Sequence, residues 1–181
     1  LLVPGASVFL EKSSNPNRKT KYDLIAVKKG ERLINMDSQI PNAAAEEWLK
    51  ESRFFGRDAK IRREVTYGNS RFDLYIETGK RKIFMEVKGV TLEEDGVVRF
   101  PDAPTQRGVK HIRELCRCIE DGYEAYIMFV IQMEDVKYFE PNDAAQPEFR
   151  EALKEAENKG VKILAYTCTV RKDLIKLAKP V

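Results

Sequence analysis

Two short stretches decide the fold of this 181-residue chain: NSRFDLYI at residues 69–76 and IFMEVK at residues 83–88. Each is an apolar run of strand length that contains charge, Asp73 in the first and Glu86 and Lys88 in the second. A charge among apolar side chains costs several kcal/mol unless it is paired or bound to a metal. Two acids and a lysine on adjacent strands are what metal-dependent cleavage of a phosphodiester requires.

The turn between the two runs sets their register. Thr78-Gly79 can form a tight hairpin turn, and with that turn Asp73 lies opposite Phe84. Because strand side chains alternate between two faces, this register puts Asp73, Glu86 and Lys88 on one face, with the two acids as diagonal neighbours. A slip of one residue would turn Glu86 to the other face, so the shared face depends on the turn.

The chemistry of such a face favours a divalent ion. Two carboxylates supply hard oxygen ligands, which suit Mg²⁺ or Mn²⁺ and leave positions for water and substrate phosphate. Lys88 can orient the attacking water or stabilise developing negative charge. The alternative is an exposed hairpin with an ordinary Glu–Lys pair, because D-x(n)-E-x-K is a short pattern with many chance matches.

Composition limits the classes of protein. Charged residues make up 34% of the chain and its mean hydropathy is −0.47, and no stretch approaches the ~18 apolar residues of a membrane span. The three cysteines (Cys116, Cys118 and Cys168) are odd in number and lack Cys-x-x-Cys spacing, which argues against a disulfide or a zinc site. With no secretory signal visible, we expect a cytoplasmic location and no membrane association. The net charge of +3 is too small to predict nucleic-acid binding by itself.

Six short blocks are spread over nearly the whole chain: LVPG at 2–5, NPNRKTKY at 15–22, PN at 41–42, YGNSRFD at 67–73, EVK at 86–88 and FPDAPTQRG-x-KH at 100–111. Together they make the chain resemble the sugar fermentation stimulation protein A (SfsA) family, whose name comes from a sugar-utilisation phenotype. The resemblance implies an N-terminal OB-like module, a domain like the PD-(D/E)xK nucleases, and binding of single- or double-stranded DNA. Asp73, Glu86 and Lys88 match the nuclease motif position for position.

The expected fold is therefore α/β with a mixed sheet. We expect an OB-like module over residues 1–38 and a PD-(D/E)xK nuclease-like domain over residues 39–181. An OB barrel needs five strands, whereas the first segment supplies about three, at 7–11, 22–28 and 32–36. We therefore expect this module to be incomplete. A homodimer is compatible with the sequence.

The nuclease-like fold also implies a third acid from an earlier helix. Asn42 is the predicted N-cap of a helix over residues 43–52, which contains Glu46 and Glu47. Both lie equally far from its apolar side, so periodicity cannot choose between them. The family resemblance favours Glu46 as the third metal ligand beside Asp73 and Glu86. Glu64 is its competitor, and it can instead pair with Arg71.

Basic residues concentrate in two places. The loop at 12–21 has four cations and no acid, and the OB-like interpretation makes it a phosphate-gripping loop rather than a merely solvated one. A helix predicted over 104–120, capped by Asp102, carries an apolar stripe and a separate basic ridge. His111 is more commonly a hydrogen-bonded structural residue than a base. The predicted nucleic-acid contacts are Arg18, Lys19, Lys21, Arg71, Gln106, Arg107 and Lys110.

The remaining segments form scaffold. We predict strands at 59–67, 123–132 and 161–170, a helix at 147–159, and a short helix or frayed tail at 171–179. This order fits a mixed sheet with helices on both faces.

Two functions follow from these observations. The first is a DNA-binding, divalent-metal-dependent nuclease. The second is a non-catalytic DNA-binding regulator of sugar (maltose-type) metabolism that keeps the nuclease fold. A sugar-processing enzyme has no support, because the chain shows neither a carboxylate pair in a glycosidase context nor a phosphate-binding glycine loop.

Overall fold

The computed structural model describes residues 1–15 and 17–181; Pro16, which belongs to one of the family blocks, lies outside them. Within these residues the chain forms three helices and twelve strands. The helices are α1 (Ile40–Ser52), α2 (Gln106–Glu120) and α3 (Pro147–Asn158). The strands are β1 (Val8–Lys12), β2 (Tyr22–Lys29), β3 (Arg32–Asn35), β4 (Lys60–Tyr67), β5 (Ser70–Thr78), β6 (Arg81–Val90), β7 (Leu92–Glu94), β8 (Val97–Phe100), β9 (Glu124–Ile131), β10 (Tyr138–Pro141), β11 (Lys162–Arg171) and β12 (Leu174–Pro180).

A six-stranded mixed sheet forms the centre of the molecule, in the order β12-β11-β9-β6-β5-β4. Strands β6, β9 and β11 are parallel, and antiparallel neighbours lie at both ends. Every residue of β9 from Ala125 to Ile131 is buried. The unbroken apolar run of this strand is typical of a parallel strand covered on both faces.

Helices cover the two faces of this sheet. On one face α2 and α3 pack Ile112 and Phe149 into a cluster with Phe129. On the other face α1 packs Leu49 into a separate cluster with Met85. Both clusters consist of fully buried side chains, so the predicted mixed sheet with helices on both faces is confirmed. Within the described residues, no helix combines the length and apolar character needed to cross a bilayer.

Two smaller sheets flank the centre. Strands β1, β2 and β3 form an antiparallel meander, and β7, β8 and β10 form a second sheet in which β8 and β10 are parallel. The three N-terminal strands begin and end within one residue of their predicted bounds. Strands β7, β8 and β10 were not predicted, because each has only three or four residues, which is too short to show the alternation of apolar and polar residues.

The predicted turn between β5 and β6 was wrong. Thr78 pairs with Arg81, so Gly79 and Lys80 form the turn, and Tyr75 rather than Asp73 lies opposite Phe84. Gly79 has a φ of 56°, the left-handed conformation that a two-residue hairpin turn favours. The register therefore differs from the predicted one by an even number of residues, which keeps each β6 side chain on its predicted face.

The predicted helix caps were also wrong. Helix α1 begins after Gln39, so Asn42 lies within its first turn and its side chain is available for another contact. Helix α2 begins after Thr105, whose hydroxyl accepts the backbone N–H of Gly108 at 3.0 Å, instead of after Asp102. A threonine at this position satisfies a backbone donor that the helix itself cannot.

The segment 171–179 is largely a strand, not the predicted helix or frayed tail. Residues Leu174–Pro180 pair with β11 and form the edge of the central sheet. Leu177 is buried, while Lys176 and Lys179 are exposed. Lysines on an exposed edge strand discourage pairing with a second chain.

A buried acid joins the N-terminal sheet to the β7–β8–β10 sheet. Glu93 accepts hydrogen bonds from Lys29 Nζ at 2.7 Å and from the backbone N–H of Gly96 at 2.6 Å, and its Oε1 lies 2.6 Å from Arg32 Nη1. Burial opposes the charged form, but these donors outweigh it and lower the pKa of Glu93 to about 2. The ion pairs therefore stabilise the contact only while Glu93 is ionised.

We expect Glu93→Gln to lower the free energy of unfolding at pH 7 by about 2 kcal/mol, because Lys29 and Arg32 lose their acceptor. Since the folded pKa is depressed, the stabilisation is complete above the ordinary carboxyl pKa of 4.5 and is lost as pH falls toward 2. Urea denaturation across this range measures it. The neighbouring exposed variant Glu94→Gln is the control, and equal acid sensitivity of wild type and Glu93→Gln would contradict the assignment.

Candidate functional site

The central sheet is interrupted at Asp73. In the β4–β5 pair, Arg63 lies opposite Leu74 and Val65 opposite Phe72, but Glu64 and Asp73 between them are not paired. Glu64 has a φ of 55°, a left-handed conformation that non-glycine residues rarely adopt. Leu74 packs in the α1 layer, whereas Phe72 packs in the α2–α3 layer. The two strands therefore change faces at this point, and Asp73 lies at the change.

The carboxylate of Asp73 takes over a main-chain role at this interruption. Pairing between β5 and β6 ends at Leu74 and Met85, and Asp73 Oδ2 then accepts the backbone N–H of Val87 at 2.8 Å. Asn42 of α1 donates to the other oxygen, Oδ1, at 2.8 Å. Burial, followed by the charge of Glu86, raises the pKa of Asp73 above its ordinary value.

Glu86 is the second acid of the site and is buried. Its Oε1 accepts a hydrogen bond from Lys88 Nζ at 2.5 Å and contacts His111 Nδ1 at 2.5 Å. Burial opposes the charged form, but hydrogen bonding to His111 and the charge of Lys88 outweigh it and lower the pKa of Glu86. In the described part of the chain, the buried Oε2 of Glu86 has no hydrogen-bond partner.

These residues fit a divalent ion. A buried carboxylate oxygen without a partner is costly, and a cation is the group that would satisfy it. The same ion would offset the repulsion between Asp73 and Glu86, which adds to burial in raising the pKa of Asp73. Within residues 1–15 and 17–181 no group of three His, Cys, Asp or Glu side chains is placed to hold a metal. An ion here would therefore complete its shell with water or substrate oxygen, as Mg²⁺ usually does.

The candidates for the third acid have other contacts. Glu46 forms an ion pair with Lys50 at 2.6 Å and a short hydrogen bond with the Nε of Arg63. Glu47 is exposed, and Glu64 lies 3.6 Å from Arg71. The structure thus brings Glu64 beside Arg71, as the competing interpretation expected, and Glu46 as a metal ligand stays a prediction.

A polar cavity of about 560 Å³ opens beside Asp73. Its walls come from the start of α1, from the distorted part of β4 and from β5. The lining residues are Ser38, Gln39, Asn42, Arg63, Glu64 and Asp73.

Comparison with known proteins identifies the family. A sequence model described as the sugar fermentation stimulation protein RE domain matches residues 39–174, and one described as the SfsA N-terminal OB domain matches residues 1–36. The chain belongs to the SfsA family. Among its relatives is a sugar fermentation stimulation protein homolog of Ruminiclostridium cellulolyticum, 55% identical over 181 residues, which cover all of this chain and 80% of the relative. Another, from Desulfitobacterium hafniense, is 57% identical over 176 residues, or 97% of this chain and 77% of that one.

A solved structure shows the same fold. The SfsA of Pyrococcus furiosus, described in complex with Ca²⁺, superposes with a TM-score of 0.89 at 29% identity and covers 99% of this chain and 78% of its own. The expected combination of an N-terminal OB domain and a mixed α/β architecture is therefore confirmed.

The basic loop of this SfsA chain presents fewer unpaired cations than its sequence suggested. Arg18 donates two hydrogen bonds to Asp23, at 2.5 and 2.6 Å, so it is neutralised by a neighbouring strand. Lys19 and Lys21 are exposed. Those two lysines keep the accessibility that a phosphate contact needs, and binding by all three residues stays a prediction.

The predicted contact residues on α2 are also partly exposed and partly engaged in contacts within the protein. Gln106 and Arg107 are exposed at the start of the helix, whereas Lys110 Nζ donates to the backbone carbonyl of Asn69 at 2.9 Å. Lys110 thereby ties α2 to the turn before β5. Arg71 is exposed and faces Glu64. Nucleic-acid contact by these residues also stays a prediction.

Two contacts of the candidate site were not predicted from the sequence. Asn42 was predicted to cap a helix, but it hydrogen-bonds Asp73. His111 was predicted to be a structural residue without a named partner, but it contacts Glu86. His111 is also packed edge-on against the ring of Phe72, with ring centroids 6.0 Å apart. Both residues lie in the family blocks around Pro41-Asn42 and Lys110-His111, which was the available signal.

The left-handed backbone at Glu64 predicts an unusual order of stability. A β-branched residue is strained in this conformation, so we expect Glu64→Val to be about 1–2 kcal/mol less stable than Glu64→Gly. At Thr66, which is regularly paired with Arg71, we expect the reverse order for Thr66→Val and Thr66→Gly. Denaturant unfolding of the four variants measures this. The same order at both positions would show that Glu64 is not conformationally special.

Proposed function

We propose that this protein binds DNA and hydrolyses its phosphodiester bonds at a divalent-metal site formed by Asp73 and Glu86. One observation carries the proposal: within the described residues, the buried Oε2 of Glu86 has no hydrogen-bond partner, and a second acid and a lysine lie beside it. The match of Asp73, Glu86 and Lys88 to the nuclease motif supports it, as does the Ca²⁺ complex described for the relative from Pyrococcus furiosus.

The residues of the site divide the work. Asp73 and Glu86 would hold Mg²⁺ or Mn²⁺, which when bound polarises the phosphate and activates a water molecule. Val87 N–H and Asn42 keep the Asp73 carboxylate in place, and His111 does the same for Glu86. Lys88 Nζ, on a largely buried side chain at the site, would stabilise the negative charge that develops on the phosphate oxygens.

A non-catalytic, regulatory DNA-binding protein is the second candidate. One observation favours it: within the protein itself, Glu86 Oε1 accepts a hydrogen bond from Lys88 and contacts His111. Such a site can be stable without turning over. We also propose a cytoplasmic location, with which three buried cysteines in the free form are compatible.

Metal binding is tested first. We expect Mn²⁺ to raise the melting temperature of the wild type, because an ion that binds only the folded chain at 100 times its Kd adds about 2.7 kcal/mol. Asp73→Asn removes a ligand charge, so its melting temperature should not respond to Mn²⁺. Glu140 is a carboxylate paired with Arg99 in the β7–β8–β10 sheet. Its variant Glu140→Gln is the control and should respond like the wild type. A full response in Asp73→Asn would place the ion elsewhere.

Cleavage is tested with single- and double-stranded DNA and RNA in Mg²⁺ or Mn²⁺. We expect Lys88→Ala to lower the cleavage rate by about 100-fold or more, because it removes the cationic side chain that contacts Glu86, while binding changes only a few-fold. Gel assays and fluorescence anisotropy measure the two. Equal cleavage by the variant would indicate a contaminating nuclease, and no cleavage of any substrate by the wild type would leave the non-catalytic candidate.

A further inference from the structure

Among the described residues that line it, the polar cavity beside Asp73 contains one cation, Arg63, which can bind an anion. All six of its lining residues are polar or charged, so it offers hydrogen bonds and charge but no aromatic side chain on which a base could stack. Its volume of about 560 Å³ lies within the ordinary range of small-ligand sites. A phosphate of a nucleic-acid backbone is an oxyanion that an arginine can bind.

Arg63 is the cation of this cavity, and it is held in place. Its Nε donates to Glu46, which is largely buried and is fixed in turn by Lys50 at 2.6 Å. In the described part of the chain no hydrogen bond occupies the two terminal nitrogens of Arg63. A guanidinium fixed through Nε still presents its fork to an oxyanion, and part of the entropic cost of ordering it is met before binding.

The two acids that line the cavity are not ion-paired with Arg63 in the described residues, where its carboxylate partner is Glu46. Glu64 lies 3.6 Å from Arg71, and Arg71 is not among the residues that line the cavity. Asp73 belongs to the proposed ion site. Arg62, the adjacent residue on β4, differs in its contacts. Its guanidinium lies over the ring of Tyr75 at 4.9 Å and 3.5 Å from Glu77, and it does not line the cavity.

We propose that this cavity binds the phosphate next to the reacting one, with Arg63 as the phosphate ligand and Glu46 as the residue that positions Arg63. This site rests on the proposed function, because it needs a nucleic-acid substrate at Asp73 and Glu86. It assigns to Glu46 a role different from that of a third metal ligand. The two roles predict opposite results for metal binding and similar results for DNA binding.

The first experiment measures DNA affinity by fluorescence anisotropy in Ca²⁺ at several salt concentrations. We expect Arg63→Ala to weaken binding by about ten-fold and to reduce the slope of log K against log salt by about one, the signature of one lost phosphate contact. Arg62→Ala, a matched arginine on the same strand, should leave both unchanged. Equal effects of the two substitutions would overturn the site, whereas no DNA binding by wild type would overturn the proposed function itself.

The second experiment separates the two roles of Glu46. If Glu46 acts through Arg63, Glu46→Gln should weaken DNA binding, and the double variant with Arg63→Ala should bind no worse than Arg63→Ala alone. Calorimetric titration with Mn²⁺ alone should give Glu46→Gln a Kd within about two-fold of wild type, whereas Asp73→Asn should lose binding. Loss of Mn²⁺ binding in Glu46→Gln comparable to that in Asp73→Asn would overturn the positioning role. This measurement needs no nucleic acid.

Thermal unfolding accompanies both experiments. Arg63 is about half exposed, so Arg63→Ala is expected to fold. Arg63→Lys provides the conservative comparison, because it keeps the charge but loses both the fork and the Nε contact with Glu46. We expect it to retain the salt slope and to recover only part of the affinity. Full recovery would show that charge alone, without the Glu46–Arg63 pair, accounts for binding.

Discussion

The hydrogen bond from the Val87 N–H to Asp73 is the contact on which the rest of the site depends. Pairing between β5 and β6 ends at Leu74, the neighbour of Asp73. The Asp73 carboxylate then accepts a hydrogen bond from a backbone N–H that the strand pairing no longer satisfies. An unsatisfied buried N–H costs about 1–3 kcal/mol, so the acid has a structural role besides the metal-binding role proposed for it. It is therefore fixed to the backbone of the strand that carries Glu86 and Lys88.

The two acids are placed in unlike surroundings. Glu86 contacts Lys88 and His111 and has a lowered pKa, whereas Asp73 is partly buried next to another acid and has a raised one. Each is oriented by a residue from a different helix, Asn42 from α1 and His111 from α2. Because these helices lie on opposite faces of the sheet, the site joins both apolar layers of the protein.

Interactions outside the centre connect the other parts of the chain. The buried Glu93 links the N-terminal sheet to the β7–β8–β10 sheet through Lys29 and Arg32. The Glu46–Arg63 pair links α1 to the distorted part of β4, at the wall of the cavity. Each of these links uses a largely buried carboxylate with two cationic partners, an arrangement in which removing one member leaves the others uncompensated.

The sequence by itself determined five of the six strands of the central sheet and the apolar face of α2, because these follow from local periodicity, but it missed β12. The three charged residues of the candidate site were indicated by spacing together with the family resemblance. Asp73, Glu86 and Lys88 lie on two adjacent strands, as the two apolar runs predicted. Only the tertiary structure decided the turn at Gly79-Lys80, the contacts of Asn42 and His111, and the pairing of Glu46 with Arg63. The contacts of Asn42, His111 and Glu46 join residues that are distant in the chain, and no local pattern encodes them. The turn is local, but its placement by one residue was decided by the pairing of β5 with β6.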